Sequence, residues 1–125
     1  MIAEYNATVM IPASDLERAK AWYRDKLGLV PSREEPFGAS YVLGGGTRAF
    51  LYKSDYAGTA QHTLITFATP DARRDMAELR AKGVEFLDYD LPGLKTVDGI
   101  AEFGAVKNCW ARDSEGNILG FVEGM

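Results

Sequence analysis

The sequence predicts an α+β fold in which paired βαβββ modules form a cupped mixed β-sheet with helices on the outside. Three observations carry this. A strand-like run followed by an amphipathic helix occurs twice, and each pair is followed by short strand-like segments separated by turn residues. A module of some 60 residues cannot close its own sheet, so two should pair and enclose a cavity. The whole chain of 125 residues suits one compact domain, with modules at about 1–58 and 59–125.

The first module opens with "ATVMIP", a short apolar run of strand type. In "IPASDLERAKAWYRDKLGLVPS", Ser14 and Glu17 have the spacing of a capping box and predict a helix start. Leu16, Ala19, Tyr23 and Leu27 then recur at spacings of three and four, which puts them on one face, and Gly28 supplies the left-handed residue that ends many helices. Strands are expected near 31–34, 39–43 and 48–53, with "GGG" at 44–46 as a turn.

The second module repeats the plan. A strand is expected over 63–68, with Thr69 as the helix cap and Pro70 at the first helical position. Ala72, Met76 and Leu79 share one face before Gly83. Strands are expected over 84–89, 108–112 and 118–122, with "SEGN" at 114–117 as a turn. "DLPGLKTVDGIAEFG" (90–104) reads as a loop over the mouth of the cavity, because long loops in compact domains are often functional.

Composition narrows the function. At 46% hydrophobic and 26% charged residues, the chain has the profile of a folded soluble domain. Its net charge of −4 works against nucleic acid, where affinity comes largely from Lys and Arg displacing counterions. The first residues show no basic stretch ahead of an apolar one, and no run approaches the roughly 18 apolar residues of a membrane span. A cytoplasmic protein is expected. The single Cys109 has no disulfide partner within the chain and reads as a small core residue.

Several segments together resemble the vicinal oxygen chelate superfamily, which contains glyoxalase I, extradiol dioxygenases, and fosfomycin- and bleomycin-resistance proteins. They are "SDLERAKAWYRDKLGL" (14–29), "DARRDMAELRAKGVEF" (71–86) and "CWARDSEGNILGF" (109–121). The resemblance implies the paired-module fold and leaves function open, because this fold hosts lyases, isomerases, oxygenases and pure binding proteins. Its enzymes hold a divalent metal with His and Glu from both modules, a site needing about three protein ligands and an open position. Carried over from the motif, the ligand positions fall at Thr8, at or beside Leu51, and at Gly120. None is a metal donor. The fourth position lies near His62, the only histidine, while direct alignment puts Leu64 there. Glu123, offset by three from Gly120, should point to the opposite face of its strand. The sequence therefore predicts no metal and no cofactor, with His62 as a polar contact.

No other chemistry stands out. "GGGTR" lacks the spacing of a phosphate loop, and no GxSxG motif supports a Ser/His/Asp triad. Asp88 with Asp90, and Glu34 with Glu35, read as solvated charges. The aromatic residues say more. Phe37, Tyr41, Phe103 and Trp110 fall in or beside the segments expected to line the cavity, where flat rings can stack a planar ligand. With Thr8, Met10, Leu51, His62 and Gly120 they form the expected ligand-binding set. Gly120 should leave room for a larger ligand where the enzymes have Glu.

The resulting expectation is a metal-free small-molecule binding protein that sequesters a planar, largely apolar compound, such as an aromatic or polyketide antibiotic. The ligand should be neutral or cationic, given the net charge. The alternative is a glyoxalase- or dioxygenase-like enzyme acting on a small metabolite. A homodimer is expected, because short strand-rich units leave edges that a second copy can cover.

Overall fold

The computed structural model describes residues Met1–Met125. The chain divides into two compact units, Met1–Ala57 and Gly58–Met125. The first contains β1 (Thr8–Ala13), α1 (Leu16–Leu27), β2 (Arg33–Glu35), β3 (Gly38–Val42) and β4 (Arg48–Lys53). The second contains β5 (Thr63–Ala68), α2 (Ala72–Ala81), a hairpin of β6 (Asp90–Leu91) and β7 (Leu94–Lys95), then β8 (Ile100–Phe103), β9 (Val106–Arg112) and β10 (Ile118–Glu123).

Each unit holds a four-stranded mixed sheet, and the two have the same topology. The order is β1-β4-β3-β2 in the first and β5-β10-β9-β8 in the second. In both, the strand before the helix pairs in parallel with the last strand, and the remaining neighbours are antiparallel. A helix is long enough to carry the chain across to a parallel position, whereas the short turns between later strands permit only antiparallel pairing.

Helix α1 starts one residue later than the Ser14 capping box predicts. Asp15 is the cap, its Oδ1 accepting from the Arg18 amide at 3.0 Å, and Ser14 instead accepts from the Arg18 guanidinium at 3.2 Å. A carboxylate also complements the helix dipole, which a hydroxyl does not. Helix α2 likewise begins at Ala72, capped by Asp71, whose Oδ1 accepts from the Arg74 amide at 3.0 Å. Thr69 is not the cap. Its hydroxyl accepts from the Asp71 amide and donates to Asp75, which fixes the entry to the helix. Gly28 closes α1 at φ 71°, in the left-handed region the sequence assigns to it.

In the first unit, cross-strand register sorts residues by face. Ile11 pairs with Leu51, and Leu51 with Ala39; Val9 pairs with Ala49, and Ala49 with Tyr41. All but Val9 are buried, and they share the face on which α1 lays Ala19 and Tyr23. Glu34 pairs with Ala39 on the same face and accepts from Lys20 of α1 at 2.9 Å. Hydrogen bonds to Glu17 and Glu34 push the Lys20 ammonium up to about 12. The alternate residues face away from the helix: Thr8 with Arg48 and Val42, then Met10 with Phe50, Ser40 and Arg33.

In the second unit, Cys109, Phe121, Phe67 and Phe86 belong to the face under α2. Phe121 stacks on Phe67 at 5.6 Å and meets Phe86 at 6.0 Å. Burial pushes the Cys109 thiol up to about 11, so it is a core residue with little thiolate. The turn 113–117 is built by one side chain. Asp113 Oδ1 accepts from the amides of Glu115 and Asn117, its Oδ2 accepts from Asn117 Nδ2, and Asn117 Oδ1 accepts from the Gly58 amide. The Asp-x-x-Gly-Asn pattern is thus a structural turn.

Two expectations fail here. Residues 84–89 form no strand; only an isolated bridge joins Phe86 to Ala111, and Leu87 donates to the Trp110 carbonyl at 2.8 Å. Residues 90–104 are not a loop, since they hold the β6–β7 hairpin and β8, the outer strand of the second sheet. Ile100, Ala101 and Phe103 stand among three glycines, at 93, 99 and 104, whose turn signals mask a strand only four residues long.

Gly38 is the tightest backbone position on the helix-free face. A Cβ there would collide with the Leu51 carbonyl and come within 2.6 Å of the Phe50 ring. The missing side chain lets Phe50 lie across β3. Gly38→Ala should therefore destabilise the protein by about 1–3 kcal/mol in a urea titration, against about 0.5 kcal/mol or less for Gly44→Ala, where a Cβ meets nothing. Equal midpoints for the two variants would contradict this packing.

Candidate ligand site

A cavity of about 300 Å³ lies on the first unit, lined by Thr8, Met10, Ser40, Tyr41, Arg48, Ala49 and Phe50. Five of these belong to the helix-free rows set by strand register: Thr8, Met10, Ser40, Arg48 and Phe50. Phe37 extends the aromatic surface, its ring 5.9 Å from that of Phe50 at an interplanar angle of 45°. Met10 is 48% exposed and Phe37 63%. Large apolar side chains left open beside a cavity point to contact with a ligand more than to internal packing.

The expected ligand set divides. Thr8 and Met10 lie in the cavity and Phe37 at its edge. Leu51 is fully buried on the face under α1, so its side chain points away from them. Tyr41 is 3% exposed in the same helix-facing pattern, although it contributes to the cavity lining. Its hydroxyl has no hydrogen-bond partner, and burial pushes the phenol up. The aromatic contact that the sequence reading passed over is Phe50, beside Leu51. The alternation in "RAFLYK" carries that signal, because Phe50 pairs with Met10 while Leu51 pairs with Ile11.

In the second unit, Trp110 and Gly120 are cross-strand partners on the helix-free face. Trp110 is 9% exposed and meets Tyr89 edge-on at 5.3 Å, with Leu87 and Leu94 packed on the same cluster. It is a core residue there. Gly120 does not open a slot: a Cβ would stand 2.9 Å from Thr66 Oγ1 and 3.4 Å from Thr63 Cγ2. The two threonine side chains already occupy the space. The register shifts between Ile118 and Leu119, since Ile118 pairs with Thr63 and Leu119 with Ile65. Phe103 is 49% exposed at the end of β8. His62 is exposed, its Nδ1 3.1 Å from the Thr63 carbonyl.

The donor set for a family-type divalent metal does not fit. Thr8, Leu51 or its neighbour Phe50, and Gly120 offer no imidazole or carboxylate. Nowhere in the chain do three or more His, Cys, Asp or Glu residues come together as a metal cluster. Glu123, from the face opposite Gly120, is engaged elsewhere, accepting from the Ala72 amide at 2.9 Å and from Lys107.

The duplicated βαβββ topology defines a class, and the sequence agrees with it. The chain belongs to the Glyoxalase/Bleomycin resistance protein/Dioxygenase superfamily, whose profile matches residues 7–119. Among solved structures it is similar to UcmS2, at TM-score 0.75 and 17% identity, covering 94% of this chain and 96% of the other. It is similar to TnmS3, an antibiotic binding protein from Streptomyces sp. CB03234, at TM-score 0.67 and 20% identity, covering 96% and 97%. It is also similar to lactoylglutathione lyase from Agrobacterium tumefaciens, at TM-score 0.71 and 17% identity, covering 97% and 94%. At these identities the likeness is one of fold. A search among curated proteins finds no match. No helix is long and apolar enough to cross a membrane.

The position of Tyr41 gives a test of how the two faces divide. A buried hydroxyl without a partner costs on the order of 1 kcal/mol or more. Tyr41→Phe should therefore hold or raise thermal stability, by up to about 1 kcal/mol, and leave ligand affinity unchanged. A loss of affinity at unchanged stability would make the Tyr41 hydroxyl a ligand contact.

Proposed function

We propose that this protein binds a planar, largely apolar small molecule on the helix-free face of its first sheet and releases it unchanged. The observation that carries the reading is the cavity over β1, β4 and β3, where Met10 and Phe50 meet Thr8 and Ser40 with no carboxylate or imidazole in the lining. An aromatic ring and a thioether supply contact without a reactive group. A volume of about 300 Å³ is at the low end for small-molecule sites, which suits a compound of two or three fused rings. Burying about 200 Å² of such a ligand would contribute roughly 5 kcal/mol before the costs of association. The likeness to TnmS3, an antibiotic binding protein, supports an antibiotic of this shape as the ligand class, and sequestration as the biological use.

The alternative is a glyoxalase-like enzyme, in line with the lactoylglutathione lyase from Agrobacterium tumefaciens. The donor set counts against it, since that chemistry in this superfamily needs ligands that Thr8 and Gly120 do not supply. We propose further that the protein works metal-free, as a homodimer in the cytoplasm, as one domain of two modules.

Native mass spectrometry of the purified protein with a panel of fused-ring aromatics tests these statements together. The expected particle holds two chains, no stoichiometric metal, and a ligand whose mass is the same before and after release. Phe50→Ala should weaken binding by roughly tenfold, from the lost area and ring contact. A ligand recovered with altered mass, or one metal per chain that is required for binding, would replace sequestration with catalysis.

A further inference from the structure

Arg48 is the cation of this cavity, and it has no partner. The other arginine on a strand of the first sheet is engaged: Arg33 pairs with Glu35 at 2.6 Å. Lys53, at the other end of β4, pairs with Asp55 at 2.8 Å. The Arg48 side chain makes neither a hydrogen bond nor an ion pair, and its cross-strand neighbours are Thr8 and Val42, both uncharged. No acidic residue lines the cavity. Arg48, itself exposed, is therefore the one charged side chain in the lining, in a chain whose net charge is −4.

We propose that the ligand carries a carboxylate or a similar planar anionic group, which Arg48 holds while the ring system lies over Phe50 and Met10. This inference rests on the proposed binding function and names the class of molecule bound. A guanidinium presents donors in a planar fork that matches a carboxylate, and the pair gains geometry as well as charge. Thr8, beside Arg48 in register, adds a hydroxyl at that end of the cavity, and Ser40 adds another beside Phe50. The arrangement reverses the expectation from net charge that a neutral or cationic ligand is preferred. Distant surface charges are screened within about 8 Å at physiological salt, whereas a cation in the cavity acts on the ligand directly.

The test uses two probes of one shape, 2-naphthoic acid and 2-naphthamide, titrated into the full-length protein at pH 7.5 and followed calorimetrically. Naphthoate should bind roughly tenfold tighter than naphthamide, as a charge-assisted hydrogen bond implies. Arg48→Met should remove that difference by weakening naphthoate alone, and Arg48→Lys should restore part of it. Raising salt should weaken naphthoate more than naphthamide. Equal affinities for the two probes in the wild type, or an Arg48→Met variant that still prefers naphthoate, would overturn the inference while leaving the binding function in place. If neither probe binds a protein that remains folded by circular dichroism, the binding function itself fails.

Discussion

Strand parity under a helix is the constraint on which the rest of the first unit depends. Side chains alternate across a sheet, so committing Ile11, Leu51 and Ala39 to the core beneath α1 commits Met10, Phe50 and Ser40 to the other side. The core residues leave no freedom in register: Leu51 and Ala39 are fully buried, and Tyr23 of α1 is nearly so. A slip of one residue would exchange the two faces and bury Arg48. The apolar character of the exposed row then needs a reason other than folding, and the cavity over it supplies one.

The two units share a topology and differ in how they treat this second face. In the second unit the chain between α2 and β8 folds back, and Leu87, Tyr89 and Leu94 pack on Trp110 with Ala101 and Ile118. Asp88 fixes that segment by accepting from Thr96 Oγ1 at 2.7 Å and from the Gly99 amide at 2.9 Å, which holds its carboxyl below the usual range. In the first unit α1 is followed by only five residues before β2, from Gly28 to Ser32. That connection is too short to return across the sheet, and the helix-free face stays bare. The two units thus share a topology, and the longer connection of the second packs on a face that the short one leaves uncovered in the first.

The repeat, both helices and most strands were legible because they rest on short-range signals: periodicity, caps and turn glycines. The helix caps lie one and two residues beyond Ser14 and Thr69, at Asp15 and Asp71, whose carboxylates take the Arg18 and Arg74 amides. β8 was hidden among the glycines that bound it. The site was legible only in part. Thr8, Met10 and Phe37 follow from parity and position, but motif alignment selected Leu51 when its neighbour Phe50 faces the cavity. Gly120 and its cross-strand partner Trp110 share the helix-free face of the second sheet. What fills the space above them is Tyr89 and the pair Thr63 and Thr66. Contacts of that kind join residues far apart in sequence or shifted by a bulge, and periodicity carries no trace of them.

In the proposed site, the local balance of charge and surface of the first unit selects the ligand. A ring and a thioether offer shape without chemistry, and one unpaired guanidinium offers direction. The most direct measurement is a methyl-methionine NMR titration, because Met10 stands in the cavity while Met76 is buried in the second unit's helix-side core. On addition of 2-naphthoic acid, the Met10 methyl resonance should shift in proportion to occupancy, moved by the ring current of the bound probe, and that of Met76 should stay fixed. A bound probe that leaves Met10 unmoved, or that shifts Met76 instead, would contradict the assignment of this face as the binding surface.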